Sequence, residues 1–217
     1  MPTVSEPRFI IVEGPIGVGK TTLARRLAET FGCELLLEGA EENPFLKRFY
    51  QNPRDGALAT QMFFLFQRAE QMQQLRQNDM FEPVRVADFM LEKDRLFARL
   101  TLNDDELNLY EQAYRHLTLD APRPDLVIYL QAPVPVLMQR IAQRGREGEE
   151  YISTDYLQTV QDAYAGFFHS YEASPLLIVN AAEIDLAESD QDYIQLLEQI
   201  RATRSGRHFF NPIPSML

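Results

Sequence analysis

Residues 14–22 of this chain read GPIGVGKTT, and this stretch decides the fold. It matches the pattern G-x-x-x-x-G-K-[ST] through Gly14, Gly19, Lys20 and Thr21. The apolar run FIIVE precedes the stretch and the helical pattern LARRLAETF follows it. In such a strand–loop–helix context, the glycines allow backbone N–H groups and the positive end of the helix to bind phosphate. The sequence therefore predicts a site for a nucleoside triphosphate.

The loop contributes side chains as well as backbone amides. Lys20 can reach the outer phosphates of a nucleotide, and Thr21 offers a hydroxyl group to Mg²⁺. We therefore predict that a triphosphate binds with Mg²⁺ to the residues of this loop: Gly14, Pro15, Ile16, Gly17, Val18, Gly19, Lys20, Thr21 and Thr22.

The length and charge of the chain limit the classes of protein to which it can belong. Its 217 residues suffice for one domain with a full core, and its net charge of −11 disfavours binding to a nucleic acid polymer. No apolar run is long enough to span a membrane, and the first residues, MPTVSEPR, lack the layout of a signal peptide. The single cysteine, Cys33, suits a reducing compartment. We therefore expect a cytoplasmic protein with no membrane partner.

Five short apolar runs alternate with helical patterns along the chain. The runs are FIIVE, ELLLE, VRVAD, DLVIYL and LLIVN, and the helical patterns cover residues 19–31, 56–77, 90–118, 134–144 and 153–172. Continuous apolar runs of this length are typical of parallel strands that are buried on both faces. The alternation therefore predicts an α/β fold with a parallel sheet flanked by helices. Ligands of such folds bind at the carboxyl ends of the strands.

Polar residues follow three of the predicted strands at that edge of the sheet: Glu38, Asp88 and Gln131. A carboxylate at position 38 can accept the proton of an attacking hydroxyl group, as the base of a kinase does. The neighbouring Glu41 and Glu42 fit exposed loop positions, so we favour Glu38 for this role.

Three arginines lie at and beyond the end of the predicted helix 134–144, in the segment QRIAQRGREGEE: Arg140, Arg144 and Arg146. Guanidinium groups stay charged at neutral pH and bind phosphate through planar, paired donors. Cations are also favoured at a solvated helix end, so the segment has an ordinary explanation as well. Because the chain also has a phosphate-binding loop, we interpret the segment as a lid that closes over the phosphates.

Other motifs separate the classes of nucleotide-binding protein. A GTPase requires N-K-x-D and D-x-x-G motifs, and the sequence contains neither. Motors and large ATPases usually have further elements and a longer chain. A small-molecule kinase requires an acceptor pocket, a base and mobile arginines, and this chain has candidates for them. A kinase is therefore the favoured class.

Several ordered motifs resemble one family, the deoxynucleoside kinases, especially the bacterial deoxyadenosine, deoxyguanosine and deoxycytidine kinases. The similarity runs from GPIGVGKTT to LLIVN and includes E-x-x-x-x-N-P-F-L followed by F-Y-x-N-P after the second strand. It also includes ATQMFFLFQR, VADFMLEKDRLFA and the lid segment. The resemblance implies a P-loop kinase fold with a five-stranded sheet in the order 2-3-1-4-5. It also implies transfer of the γ-phosphate of ATP to the 5′-hydroxyl of a deoxyribonucleoside in nucleotide salvage, by a homodimer that pairs through residues 56–77 and 90–118.

The loop and the resemblance together assign catalytic roles to Glu38, Lys20, Arg140, Arg144 and Arg146. The resemblance implies that Glu38 deprotonates the 5′-hydroxyl and that the arginines contact the phosphates. It places Asp88 near the 5′-hydroxyl and the metal. We therefore predict that Thr21 and Asp88 hold Mg²⁺, directly or through water.

The acceptor-binding residues that the resemblance implies are Glu38, Tyr50, Gln61, Phe64, Arg68, Asp88, Asp94 and Glu149. Tyr50 and Glu149 are implied to contact the 3′-hydroxyl of the sugar. Gln61 and Asp94 are implied to read the nucleobase, and Phe64 is the ring expected to stack on it. An acid accepts hydrogen bonds from exocyclic amino groups and an amide adapts to either pattern, so we favour a purine base.

The chain departs from the family pattern directly after Asp88. Phe89 replaces the arginine that the family has at this position, and Met90 replaces its serine. Either a cation from elsewhere takes the place of that arginine, or the arginine is dispensable. The candidate cations are Arg95, Lys93 and Arg68.

We expect one kinase domain over residues 1–203, with the lid at about 144–152, and a tail over 204–217 that packs on the surface or on a partner chain. Two alternatives stay open. A nucleoside monophosphate kinase similar to thymidylate kinase shares the loop and the lid, although Phe89 stands where an arginine for the phosphate of the acceptor would be expected. A non-catalytic nucleotide-binding module is the other alternative.

Overall fold

The computed structural model describes residues 7–77, 84–117, 122–187 and 189–212, without the side chains of 75–77. Within these ranges, parallel strands form a sheet in the order β2-β3-β1-β4-β5-β6. The strands are β1 (Phe9–Glu13), β2 (Glu34–Leu36), β3 (Arg85–Ala87), β4 (Leu126–Gln131), β5 (Leu176–Asn180) and β6 (Arg207–Phe210). The predicted fold class is confirmed, and so is the order 2-3-1-4-5 of the first five strands.

Helices connect the strands and cover the sheet. In the described ranges they are α1 (Lys20–Phe31), α2 (Leu46–Gln51), α3 (Pro53–Gln77), α4 (Glu92–Thr101), α5 (Asp104–Leu117), α6 (Val134–Arg144), α7 (Thr154–His169) and α8 (Asp190–Ala202). None of these helices combines the length and the apolar character needed to cross a lipid bilayer. Residues 1–6, on which most of the signal-peptide expectation rests, lie outside the described residues.

The segment 90–118, predicted as one helix, contains two. α4 and α5 are separated at Leu102, whose backbone is extended. Asn103 caps α5, because its side chain accepts the backbone N–H of Glu106 at 3.0 Å while the Glu106 carboxylate accepts the N–H of Asn103 at 3.1 Å. This reciprocal cap is a helix start signal inside a longer helical pattern. Thr118, the last residue of the predicted helix, lies outside the described residues.

The tail predicted over residues 204–217 contains the sixth strand. β6 pairs in parallel with β5, and its first residue, Arg207, lies opposite Leu176. The prediction of five strands was wrong here because RHFF begins with polar residues, and an edge strand does not need the continuous apolar run of a central strand. The sheet therefore extends past the predicted domain boundary. Residues 213–217 lie outside the described residues.

Alternate residues of β1 belong to the apolar cores on the two sides of the sheet. Ile10 and Val12 lie in one core with Leu23 of α1. Ile11 lies in the other core with Tyr129 and other aromatic residues. Because both faces of β1 are buried, its position is fixed, and its carboxyl end delivers the phosphate-binding loop to the edge of the sheet.

Candidate active site

The glycines of the phosphate-binding loop adopt a backbone that other residues rarely adopt. Gly14 and Gly17 have φ angles of +149° and +83°. A Cβ on Gly14 would lie 2.5 Å from the carbonyl oxygen of Leu130, and one on Gly17 would lie 2.9 Å from that of Leu137. The loop is therefore packed closely against β4 and α6. Because α1 begins at Lys20, its positive N-terminal end faces the loop.

The side chain of Lys20 folds back over the loop. Its ammonium group donates hydrogen bonds to the carbonyl oxygens of Gly14, at 2.8 Å, and Pro15, at 3.3 Å. Burial lowers the pKa of Lys20 and the nearby ammonium of Lys93 also lowers it, while three neighbouring carboxylates raise it. These bonds hold the ammonium group at the loop, and its contact with the outer phosphates of a nucleotide stays a prediction.

The hydroxyl of Thr21 lies next to the carboxylate of Asp88, which follows β3. Thr21 Oγ1 donates to Asp88 Oδ2 at 2.5 Å, and Asp88 Oδ1 accepts the backbone N–H of Glu38 at 2.8 Å. Mg²⁺ prefers oxygen ligands of this kind, completed by waters and substrate phosphates. The structure thus brings together the two side chains predicted to hold the metal, and their chemistry fits Mg²⁺.

Glu38 lies two residues beyond the end of β2, and its side chain lines a cavity. Lys93 Nζ is 3.1 Å from Glu38 Oε1 and 3.2 Å from Oε2, and Arg68 Nη2 also donates to Oε1. Burial by itself raises the pKa of Glu38, but Lys93, Arg68 and Lys20 outweigh it and lower the pKa to about 2. The carboxylate is therefore ionised at neutral pH and only accepts hydrogen bonds.

This cavity gathers predicted site residues from several elements. It is lined by Lys20 and Thr21 of the loop together with Glu38, Tyr50, Gln61, Phe64, Arg68, Asp94, Arg144, Arg146 and Glu149. Asp88 adjoins the cavity through its bonds to Thr21 and to the backbone of Glu38. Most of the residues predicted from the sequence therefore share one pocket, which we call the main cavity.

Gln61, Arg68 and Asp94 are among the buried polar side chains that line the main cavity, and they are 3%, 2% and 1% exposed. The guanidinium of Arg68 joins two carboxylates, because Nη1 pairs with Asp94 and Nη2 pairs with Glu38. Among the described residues, Asp94 Oδ2 has no hydrogen-bond partner. An unsatisfied buried acceptor is costly, so a donor from a bound ligand would stabilise this oxygen.

Phe64 supports this wall. The guanidinium carbon of Arg68 lies 4.9 Å from the centroid of the Phe64 ring, within the range of a cation–π contact. The ring thus helps to orient the guanidinium between its two carboxylates. The expected stacking of Phe64 on a nucleobase stays a prediction.

Tyr50 and the lid residues lie at another side of the main cavity. The Tyr50 ring is 6.5 Å from that of Tyr156, and burial, followed by Tyr156 and Glu149, raises the pKa of Tyr50 well above its usual value. The hydroxyl of Tyr50 therefore stays protonated and can donate a hydrogen bond. Glu149 accepts hydrogen bonds from Arg144 Nη2 at 2.6 Å and Nε at 3.2 Å. The predicted sugar contacts and one lid arginine are thus neighbours.

Arg140 is the one predicted catalytic residue that the structure places elsewhere among the described residues. It lines a second cavity beside the loop, which we call the donor-side cavity. Its Nη2 donates to the carbonyl oxygen of Ala181 at 2.8 Å, and its Nη1 donates to that of Val18 at 3.3 Å. Arg140 therefore connects the loop to the segment after β5. A direct contact between Arg140 and phosphate stays a prediction and would require these bonds to change.

Glu13 is a buried acid that is not among the site residues predicted from the sequence. It ends β1, is 0% exposed, and accepts the backbone N–H groups of Gly14 at 3.0 Å and Met90 at 2.9 Å. Tyr164 donates its hydroxyl to Glu13 at 3.0 Å. The available signal was an acidic residue at the end of an apolar strand, directly before the loop.

Phe89, which replaces the arginine of the family, is buried in the core and brings no charge to the site. The three candidate cations have different positions. Arg95 pairs with a carboxylate of α5 at 2.9 Å, whereas Lys93 and Arg68 both contact Glu38. The structure therefore leaves two candidates, and they approach the same carboxylate.

The chain is similar to known proteins over most of its length. A family model described as deoxynucleoside kinase matches residues 10–204. The deoxyguanosine kinase of Bacillus subtilis (strain 168) is 40% identical over 182 residues, which cover 82% of this chain and 86% of that protein. The deoxyadenosine kinase of Lactobacillus acidophilus is 28% identical over 208 residues, which cover 89% of this chain and 94% of that protein.

A solved structure shares the fold. It is that of a deoxyadenosine kinase from M. mycoides with bound dATP, and it matches with a TM-score of 0.75 and 26% sequence identity. The match covers 89% of this chain and 98% of that chain. The similarity therefore extends well beyond the phosphate-binding loop.

Proposed function

Since this chain belongs to the deoxynucleoside kinase family, we propose that it transfers the γ-phosphate of ATP to the 5′-hydroxyl of a purine deoxyribonucleoside. One observation carries the proposal: the carboxylate of Glu38 and the ammonium-bearing side chain of Lys20 line the same cavity. An acceptor hydroxyl in that cavity would have a carboxylate beside it and the terminal phosphate of the donor within reach.

The donor would bind through the phosphate-binding loop. Backbone N–H groups of the loop after Pro15 and the N-terminal end of α1 would bind the phosphates, and Lys20 would neutralise the outer ones. Thr21 and Asp88 would hold Mg²⁺, directly or through water, and the bound ion neutralises charge on the β- and γ-phosphates. The donor-side cavity adjoins the loop and is lined by residues 182–187, so it offers room for the base of ATP.

Glu38 would receive the proton of the acceptor hydroxyl. A carboxylate with a pKa of about 2 is a weak base, but phosphoryl transfer depends mainly on positioning and on stabilisation of charge. Glu38 therefore acts chiefly by orienting the 5′-hydroxyl toward the phosphate. Arg144 and Arg146, which line the main cavity, would stabilise the charge on the transferring group.

The polar wall supports a purine base as the part of the acceptor that is recognised. Asp94 Oδ2 is a buried acceptor that has no hydrogen-bond partner in the part of the chain that the structure describes, and the amide of Gln61 can both donate and accept. Purines carry N–H donors beside acceptor nitrogens or oxygens, so the two side chains can match one base edge. The relatives named deoxyguanosine kinase and deoxyadenosine kinase also support this assignment.

The sugar would be held at the lid side of the main cavity. Tyr50 can donate to the 3′-hydroxyl and Glu149 can accept from it, because both line the main cavity. A pocket that satisfies both groups through one hydroxyl would discriminate strongly against an acceptor that lacks it. Packing against the 2′-carbon would then favour deoxyribose over ribose.

We further propose a homodimer that acts in nucleotide salvage in the cytoplasm. Phe66 on α3 and Leu109 on α5 are each 53% exposed, and these two helices contact each other. Large exposed apolar side chains on neighbouring helices support an interface with a second copy. Light scattering coupled to size-exclusion chromatography measures the mass in solution, and a single monomer peak would contradict the dimer.

The decisive test of the function is ATP consumption with a panel of acceptors. We expect turnover with purine deoxynucleosides and their conversion to 5′-monophosphates, identified by mass spectrometry. A requirement for a nucleoside monophosphate would instead identify a monophosphate kinase. Binding of ATP with no turnover on any acceptor would identify a non-catalytic module.

If Asp94 recognises the base, Asp94→Asn should lower kcat/KM for the acceptor. The variant replaces a charged acceptor with a neutral amide, and a hydrogen bond to a charged group contributes about 1.5–3 kcal/mol, so kcat/KM for the purine acceptor is expected to fall about 10- to 100-fold. The KM for ATP is expected to stay the same. Asp105→Asn, at the solvated start of α5, is the control. An unchanged acceptor kcat/KM in Asp94→Asn would remove this residue from base recognition.

A further inference from the structure

Two cations from different helices hold the carboxylate of Glu38. Arg68 comes from α3, and Lys93 comes from the first turn of α4. Both side chains are buried, and both line the main cavity. Each cation also contacts a second carboxylate: Arg68 pairs with Asp94, and Lys93 lies near Glu13. The two cations therefore connect Glu38 to different parts of the cavity.

Arg68 connects Glu38 to the base-reading side of the cavity. The other end of its guanidinium pairs with Asp94, and the Phe64 ring lies against it. Arg68 is therefore oriented by Asp94 as much as by Glu38. If a bound base altered the hydrogen bonds of Asp94, the orientation of the Arg68 guanidinium would change as well.

Lys93 connects Glu38 to the phosphate side of the cavity. Its ammonium group contacts both carboxylate oxygens of Glu38, at 3.1 and 3.2 Å, and lies 3.5 Å from Glu13 Oε1. Glu13 in turn accepts the backbone N–H of Gly14, the first residue of the phosphate-binding loop. One chain of contacts therefore links the proposed base to the loop that holds the donor.

Two carboxylates hold the buried ammonium group of Lys93 in place. The Lys93 side chain is only 5% exposed, and burying an ammonium ion is costly unless charged partners surround it. Here it lies between two carboxylates that belong to β1 and to the segment after β2. Phe89, where the resemblance leads one to expect an arginine, is fully buried in the apolar core, and the guanidinium carbon of Arg68 lies 5.8 Å from the centroid of its ring.

We propose that Lys93 is the positioning residue of the acceptor side, which fixes the Glu38 carboxylate relative to the phosphate-binding loop and supplies the positive charge that position 89 does not. This inference rests on the proposed function, because it assigns Lys93 a role through Glu38. An oriented carboxylate holds the acceptor hydroxyl in line with the phosphate, and small errors in that placement reduce the rate strongly.

The inference predicts a kcat effect for Lys93→Met, which keeps the length and apolar stem of the side chain but removes the charge. We expect kcat with a purine deoxynucleoside to fall about 100-fold, as for other preorganised polar contacts, while the KM for ATP changes less than about twofold. Lys93→Arg keeps the charge and is expected to recover part of the loss. Arg99→Met, on the exposed side of the same helix, is the matched control.

A double-mutant cycle distinguishes action through Glu38 from a merely structural role. In a Glu38→Gln background, Lys93→Met is expected to lower kcat by less than about threefold, because the carboxylate that it orients is already gone. An equal loss in both backgrounds, or no loss in either, would overturn the inference. Thermal melts with and without ATP verify folding, and Lys93→Gln replaces Lys93→Met in the cycle if the latter does not fold.

The wild-type assay separates this inference from the proposed function. If the wild type phosphorylates deoxynucleosides and the charge at position 93 has no effect on kcat, only the role of Lys93 is overturned. If the wild type phosphorylates no nucleoside, the proposed function is overturned, and the role of Lys93 falls with it.

Discussion

Glu38→Gln is expected to lower kcat by about 10²- to 10⁴-fold, because the variant loses both the carboxylate that orients the 5′-hydroxyl and the acceptor of its proton. The amide keeps the shape of the side chain but cannot take up a proton, and its N–H₂ group would face Lys93 and Arg68 unfavourably. The variant is expected to bind ATP normally, because the loop does not depend on this carboxylate for its backbone bonds. Steady-state kinetics with saturating ATP and acceptor measure the effect.

Glu42→Gln is the matched control for this experiment. Glu42 belongs to the same segment after β2, but its carboxylate accepts a hydrogen bond from Gln67 at 2.9 Å and does not line the main cavity. We expect its kcat to stay close to that of the wild type. A near-normal kcat in Glu38→Gln, with folding verified, would show that Glu38 is not the base.

Arg68→Met is expected to lower the free energy of unfolding by about 3–5 kcal/mol, the usual cost of removing one partner from a buried ionic contact. Arg68 pairs with both Glu38 and Asp94, and Asp94 is almost completely buried. Without the guanidinium, the Asp94 carboxylate would lose the cation with which it pairs. Urea denaturation followed by circular dichroism measures the change as a lower midpoint with an unchanged slope.

Arg95→Met provides the comparison for Arg68→Met. Arg95 lies on α4 and pairs with Glu111, but its side chain is 41% exposed. An exposed ion pair contributes about 0–1 kcal/mol, so this variant is expected to unfold close to the wild-type midpoint. If Arg68→Met and Arg95→Met had the same urea midpoint, the buried ion pairs of Arg68 would not contribute to stability as we infer.

The loop and the central strands could be read from the sequence because their signals are local. In GPIGVGKTT the glycine spacing alone specifies the backbone, and FIIVE specifies a strand buried on both faces. Most of the predicted site residues also line one cavity beside the loop and Glu38, although many of them lie on helices rather than at strand ends. The sequence analysis did not predict the edge strand β6 or the break between α4 and α5, because an exposed strand and a cap inside a helical pattern give weak sequence signals.

The sequence did not predict which partner each charged side chain contacts. Arg140 and Arg144 lie one helical turn apart, yet the first holds backbone carbonyl oxygens beside the loop and the second pairs with Glu149 in the main cavity. Lys93 and Arg95 are two residues apart on α4 and therefore face different directions. Lys93 contacts Glu38, and Arg95 contacts α5.

The sequence by itself determined the phosphate-binding loop and the class of fold, because each is signalled by local patterns along the chain, and the end of the second strand predicted a role for the acid at position 38. Only the tertiary structure decided that Lys93, and not Arg95, shares that acid with Arg68, and that Glu13 joins this group to the loop. The contacts of Lys93 with Glu38 and Glu13, and of Arg68 with Glu38, form between residues dozens of positions apart. Their geometry is set by how helices and strands pack, which no local pattern encodes.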